Sequence, residues 1–200
     1  MPVKSWKRSQ VIGTREHLIE TAQVLFGERG YGGTALEEVV ARAGLTRGAV
    51  YHHFEDKRGL FRAVVDRVLW DLVNAVEKRT LKRAAAKGGE PESDALELFV
   101  EELSDPVTQR IVLVDGPAVL GHDDWSELLG ARLLDPVRRA VDRAAEDGEL
   151  DPALAPTATR LLFAALQEAA LLAGRPNAER ADIDRTLSWM LDRLLGPRPS

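Results

Sequence analysis

Between residues 60 and 76 the apolar side chains Leu60, Phe61, Val64, Val65, Val68, Leu69, Leu72 and Val76 recur every three or four positions. That is one face of an α-helix, held for about five turns. A strand would need strict alternation, and alternation persists nowhere in the 200 residues. A chain with this stripe, and helical spacing nearly everywhere else, reads as all-α. At 200 residues it is long enough for a substantial core in one domain or in two unequal ones.

Upstream of the long stripe the punctuation marks three shorter helices. Thr14 is placed to cap a helix whose buried face carries Leu18, Ile19, Ala22, Leu25 and Phe26, closed by Gly30. Thr34-Ala35-Leu36-Glu37 reads as a capping box ahead of a helix with Leu36, Val39 and Val40 inward. Ala43-Gly44-Leu45 is a tight turn, and Thr46 is placed to cap the helix that follows. The long helix is expected from about Asp56 to Arg79, fading into the linker-like "KRAAAKGGEPES". Beyond it, helices are expected at about 94–103, from Asp105-Pro106, from about Asp124 to Glu146 with Pro136 kinking or restarting it, from Pro156 to Ala173, and from Asn177, as a cap, to about Leu195. Gly116-Pro117 reads as a break.

Two short helices joined by a glycine turn form the helix-turn-helix pattern. Its second helix lies in "LTRGAVYHHFEDK", residues 45–57. With Val50 and Phe54 inward, Arg47, Tyr51 and His52 must face outward from its first turns. The first turns of such a helix enter the DNA major groove, where Arg is suited to a bidentate contact with guanine. Gly48 lets the backbone come close, Tyr51 and His52 can donate to phosphates, and Thr34 and Thr46 can do the same. Lys57 stands at the start of the long helix, whose free N–H groups favour a phosphate. His52 and His53 are neighbours, about 100° apart around the helix, and cannot share a metal ion.

The charge distribution agrees. Net charge is −5, yet residues 1–60 hold nine Lys and Arg against seven Asp and Glu, whereas residues 61–200 hold 18 against 25. Lys4, Lys7, Arg8 and Arg15 all precede the first acid, Glu16. A basic arm on an acidic protein points either to a localised anionic partner or, taken alone, to a solvated, disordered tail. There is no cysteine, which excludes disulfide and thiolate chemistry. No apolar run has membrane-spanning length, and "MPVKSWKRSQ" lacks the apolar core of a secretory signal, so the expected location is the cytoplasm.

Residues 26–65, "FGERGYGGTALEEVVARAGLTRGAVYHHFEDKRGLFRAVV", resemble the DNA-binding region of the TetR family of bacterial transcriptional repressors. Phe26, Gly30-Tyr31, Thr34, Ala43-Gly44, Tyr51, His53-Phe54, Lys57 and Leu60 carry the likeness, which covers roughly residues 12–70. The resemblance implies an all-α homodimer with a helix-turn-helix domain at 1–55 and a ligand-binding and dimerisation domain at 56–200, linked by the helix from about 56 to 79. It implies that Thr34, Thr46, Arg47, Gly48, Tyr51, His52 and Lys57 contact double-stranded operator DNA, residue 47 helping to set which operator is read. One recognition helix reads few base pairs, so a two-fold dimer on a palindromic operator is expected, with half-sites about 34–36 Å apart or a multiple of that.

Past residue 80 the family likeness is only in the helical plan, and the residues must speak for themselves. Segments 157–174 and 182–195 are amphipathic, and helices at about 157–174 and 178–195 from each of two subunits would make a four-helix bundle that forms the homodimer. Ala164, Ala165, Ala169 and Ala170 would permit close approach across the axis. For a small-molecule pocket the aromatic candidates are Trp70, Phe99, Trp125 and Phe163, with Gln167, His122, Asp115 and Arg110 as polar ones. The expected ligand is mostly apolar, oriented by Gln167. The alternative is a DNA-binding regulator with no small-molecule inducer, controlled by a protein partner or by its own abundance. Asp115, His122 and Glu168 could be imagined as an acid/base set, but no nucleophile motif, phosphate loop or metal-ligand spacing accompanies them. No enzyme, cofactor or metal is expected.

Overall fold

The computed structural model describes residues 3–87, 91–175 and 177–196, and among these there is no strand. The helices are α1 (Val3–Arg29), α2 (Leu36–Arg42), α3 (Arg47–Phe54), α4 (Lys57–Lys87), α5 (Pro91–Leu103), α6 (Pro106–Gln109), α7 (Gly116–Leu120), α8 (His122–Glu146), α9 (Ala155–Ala173) and α10 (Arg180–Leu195). A π-helical turn, Arg110–Asp115, runs directly into α7, and a 3₁₀ turn, Pro152–Leu154, precedes α9. The all-α expectation holds.

Contacts divide the chain into two compact units. The N-terminal unit is Met1–Val68 together with Arg110–Trp125; the C-terminal unit is Leu69–Gln109 together with Ser126–Ser200. The first core is built from the expected stripes. Leu18, Leu25 and Phe26 of α1, Val39 of α2, Val50 of α3 and Leu60, Phe61, Val64 and Val65 of α4 are all fully buried. Phe26, Tyr31 and Phe61 form an aromatic cluster, with centroids 5.0–5.7 Å apart. In the C-terminal unit Leu96, Leu98 and Leu103 of α5, Leu129, Leu133 and Val137 of α8 and Leu166 and Ala170 of α9 are buried to 1% exposure or less.

Several expected boundaries move. Thr14 caps nothing: α1 begins at Val3, so Thr14 is interior. The side chains of Lys4, Lys7 and Arg8 lie outside the described residues. The N-cap of α2 is Ala35, in extended conformation and without a side-chain bond, so the capping box at Thr34 does not form. Thr46 does occupy the N-cap position of α3, though its hydroxyl makes no capping bond. The stretch read as a linker is helical to Lys87 and again from Pro91; residues 88–90 lie outside the described ones.

Gly116-Pro117 is not a break but the start of α7. Pro117 has no N–H and its ring crowds the carbonyl four residues back, Leu113, so the backbone widens into the π turn before it. Pro136 neither starts nor ends a helix; it sits inside the continuous α8. Asn177 is not a cap, since α10 starts three residues later behind Glu179. Asp105 does cap: its Oδ1 accepts from the amides of Val107 (3.1 Å) and Thr108 (3.0 Å).

Candidate functional site

The α2–α3 corner depends on Gly44, whose φ of +65° is costly for any residue with a Cβ. It lets the Leu45 amide donate back to the Val40 carbonyl at 3.0 Å, closing α2 and aiming α3. Val50 and Phe54 turn inward, and Thr46, Arg47, Gly48, Tyr51 and His52 are left exposed on one surface. Arg47 is held in the unbound protein by Glu37 at 3.0 Å and by donating to the Tyr51 hydroxyl at 3.1 and 3.3 Å. His53 is half-buried, and burial, then His52 and Arg15, push its pKa below the ordinary value.

The α3–α4 corner is tighter still. Glu55 has φ +66° and ψ −51°, and the Asp56 amide donates to the Phe54 carbonyl at 2.7 Å. This is a classic-sense γ-turn, a strained conformation. Gly59 follows, where a Cβ would lie 1.9 Å from the Phe54 carbonyl oxygen, so only glycine lets α4 start this close to α3. Asp56 Oδ1 accepts from the Gly59 amide at 2.7 Å and secures the first turn.

Two of the expected DNA contacts are committed to the protein. Thr34 is 1% exposed and its hydroxyl donates to the carbonyls of Gly30 (2.9 Å) and Leu25 (3.1 Å). In this conformation it does not face a phosphate; it ties the Gly30–Gly33 turn to α1. Lys57 is half-buried, with Nζ 2.6 Å from the Tyr31 carbonyl and 4.0 Å from the Tyr31 ring centroid. Burial lowers its pKa, with Asp115 and Glu37 opposing. An ammonium has three protons, so donors remain beyond the one given to Tyr31. Thr34→Val should therefore destabilise folding by about 1 kcal/mol, through loss of the one hydroxyl proton that the Gly30 and Leu25 carbonyls share. Chemical denaturation measures this, and an unchanged midpoint would refute it.

The same unit contains residues the sequence reading had assigned to a ligand pocket. Arg110 donates to the carbonyls of Gly27 (3.0 Å) and Glu28 (2.8 Å), capping the C-terminal end of α1. Asp115 Oδ2 accepts from the Tyr31 amide at 2.7 Å. Trp125 is also here, with Nε1 donating to the Val112 carbonyl at 2.7 Å. Arg58 of α4 closes the far end of α7 through the carbonyls of Val119 (3.3 Å) and Leu120 (2.7 Å) and through Asp124 (2.7 Å). Arg110 and Asp115 thus brace the helix-turn-helix, and Trp125 secures the 110–125 segment that carries them. His122 is exposed.

Within the C-terminal unit α4, α5 and α8 line an open, mostly apolar cleft of about 280 Å³, walled by Leu72, Val76, Leu96, Phe99 and Leu133, with the exposed Glu77 and Arg139 also in its lining. Of the five expected ligand residues, Phe99 alone lines it. Phe163 is half-buried with its ring centroid 6.3 Å from that of Phe99, Gln167 is half-buried, and Trp70 is 50% exposed. On α9 and α10, Leu161 (67%), Trp189 (62%) and Met190 (40%) are exposed. Ala165, Leu172, Ile183 and Met190 line an apolar groove between these two helices. Ala164 is exposed and Ala165 half-buried, but Ala169 and Ala170 are spent inside the chain. Among the described residues no three His, Cys, Asp or Glu are grouped to hold a metal, and no helix is long and apolar enough to cross a membrane.

Comparisons with known proteins bear on both units. A family model described as "Bacterial regulatory proteins, tetR family" matches residues 18–64, and one described as "Tetracyclin repressor-like, C-terminal domain" matches residues 93–196. The transcriptional regulator AcrR of Shigella flexneri is 35% identical over 98 residues, 48% of this chain and 43% of that protein. This chain therefore spans less than half the length of that curated relative. The crystal structure of a TetR-family regulator from Pectobacterium atrosepticum superposes with a TM-score of 0.73 at 30% identity, over 96% of this chain and 99% of that one. The SmeT–triclosan complex superposes with a TM-score of 0.61 at 28% identity, over 90% of each chain.

Proposed function

Because this chain belongs to the TetR family of bacterial regulatory proteins, we propose that it is a cytoplasmic transcriptional repressor that binds a palindromic operator as a homodimer and releases it on binding a small, mostly apolar molecule. The observation that carries the reading is the exposed surface of α3, where Arg47, Gly48, Tyr51 and His52 stand together at the start of a short helix aimed by Gly44. Operator binding belongs chiefly to residues 1–55, with Lys57 at the start of the linking helix as an added phosphate contact, and ligand binding and dimerisation belong to 56–200. Arg47 reads a base edge, and Gly48, Tyr51, His52 and Thr46 approach the backbone. Thr34 acts indirectly, by holding the turn before α2.

Ligand release is supported by the cleft and by a likeness to a regulator solved with triclosan. One helix, α4, carries Lys57 in its first turn and Leu72 and Val76 on the cleft wall. A ligand that prefers the cleft of the DNA-incompetent state shifts the population toward that state, and operator must weaken the ligand by the same factor. Titration of a ligand with and without operator tests this: equal affinity in both would refute the release mechanism. The alternative, a regulator without a small-molecule inducer, predicts no releasing compound at all. Lys57→Ala should weaken binding to specific and unrelated DNA alike and lower the salt slope by about 1 per subunit. Fluorescence anisotropy over a salt series measures both, and an unchanged slope would remove Lys57 from the phosphate contacts.

A further inference from the structure

The backbone at Tyr31 is gripped from two elements. Its amide donates to Asp115 Oδ2 at 2.7 Å, and its carbonyl accepts from Lys57 Nζ at 2.6 Å and, less closely, from the Thr34 amide at 3.4 Å. Gly30, just before it, has φ +74°, and a Cβ there would lie 3.3 Å from the same Asp115 oxygen, so the carboxylate is seated against bare backbone. Gly32 and Gly33 follow, and they restrict the chain little. The direction of the Tyr31 carbonyl therefore depends heavily on the hold that Asp115 has on the amide. Lys57 depends on that carbonyl in turn. Its ammonium rides on a flexible stem and is placed by the carbonyl and by the Tyr31 ring, whose centroid is 4.0 Å away. The Asp115 carboxylate is also near enough to favour the charged ammonium against the effect of burial. An acid this near a phosphate donor repels DNA, so its presence there calls for a reason.

Resting on the DNA-binding reading above, we infer that Asp115 is a positioning residue for the Lys57 phosphate contact: it fixes the Tyr31 peptide, and that peptide places the ammonium. Asp115 itself touches no DNA. It stands in the segment 110–125, which packs with the N-terminal unit although its sequence neighbours on both sides, Gln109 and Ser126, belong to the C-terminal unit. A determinant of DNA affinity is thus supplied from far outside the helix-turn-helix sequence. Arg110 of the same segment holds the Gly27 and Glu28 carbonyls, so the segment grips the chain on the approach to this turn as well.

The test is a double-mutant cycle on the full-length protein. Anisotropy titrations of a fluorescein-labelled duplex of random sequence, over a low-salt series, are run on wild type, Asp115→Ala, Asp115→Asn, Lys57→Ala and the Asp115→Ala, Lys57→Ala double variant. Random DNA reports the backbone contacts alone. Loss of a negative charge by itself would tighten binding. Positioning predicts the reverse: Asp115→Ala should weaken binding roughly three- to ten-fold, the worth of one modest hydrogen bond, and reduce the salt slope toward that of Lys57→Ala. In the Lys57→Ala background the same substitution should weaken nothing, because no ammonium remains to be misplaced. Asparagine keeps an acceptor for the Tyr31 amide and drops the charge, so Asp115→Asn should bind at least as tightly as wild type. General loss of structure does not mimic this pattern, since it acts equally in both backgrounds; circular dichroism checks that every variant is folded at the titration temperature. Asp115→Ala with wild-type affinity, Asp115→Asn weakened as much as Asp115→Ala, or equal losses with and without Lys57 each overturns the inference while leaving the DNA-binding reading intact. A Lys57→Ala variant with wild-type affinity and slope would overturn the phosphate role of Lys57, and this inference with it.

Discussion

Arg47→Ala should cost about 1–3 kcal/mol per half-site, so roughly 2–6 kcal/mol for a dimer on its operator, and the loss should be confined to the base pair that Arg47 reads. The guanidinium is exposed, sits in the first turn of α3, and is pre-oriented by the Tyr51 hydroxyl 3.1 Å away. Its ion pair with Glu37 must open for a guanine to be read, but both partners are about 60% exposed and such pairs are worth only about 0–1 kcal/mol. Operator wins that exchange. Glu37→Gln should tighten binding to every sequence, since it frees Arg47 and removes a negative charge from the DNA-facing side. Anisotropy titrations against a panel of single-base operator variants separate the two. Equal weakening of all variants by Arg47→Ala would take Arg47 off the base edge.

The helix-turn-helix was legible because its determinants are local. Gly44, the Leu36, Val39 and Val40 face, and the Val50 and Phe54 face lie within twenty residues, and each acts on its immediate neighbours. Thr34 was misread for a related reason. Thr-x-x-Glu fits a capping box, but Ala35 takes the N-cap conformation, and the hydroxyl turns to carbonyls on α1. The bracing of the same unit by residues 110–125 was beyond local pattern. Asp115 reaches the Tyr31 amide across 84 positions, and nothing near either residue announces it.

The cleft defeated the sequence through chemistry rather than distance. Large aromatics look like pocket walls, yet an indole N–H inside a protein needs an acceptor. Trp125 finds one at Val112 in the N-terminal unit, while Trp70 is half-exposed. The aliphatic residues that do form the wall, such as Leu72 and Leu133, look like ordinary core in a helical pattern.

The double substitution Leu161→Glu with Met190→Glu should convert the protein from dimer to monomer and lower operator affinity by about 10²–10⁴-fold. Leu161 of α9 and Met190 of α10 are 67% and 40% exposed, and Trp189 beside Met190 is 62% exposed. An isolated chain gains nothing by presenting these to water, whereas a second copy would cover them. The groove lined by Ala165, Leu172, Ile183 and Met190 could seat a helix of that copy. A stable interface buries about 800 Å² per partner, which the outer faces of two helices can supply. Carboxylates at these positions would be desolvated against each other in the dimer yet solvated in the monomer, so each chain should fold normally and fail only to associate. Operator binding then falls because the second half-site is no longer delivered by linkage to the first. Sedimentation velocity reads the assembly state, circular dichroism checks the fold, and anisotropy reads the operator. A double variant that remains dimeric would move the interface off α9 and α10. A monomer that binds operator as tightly as wild type would refute the two-half-site reading itself.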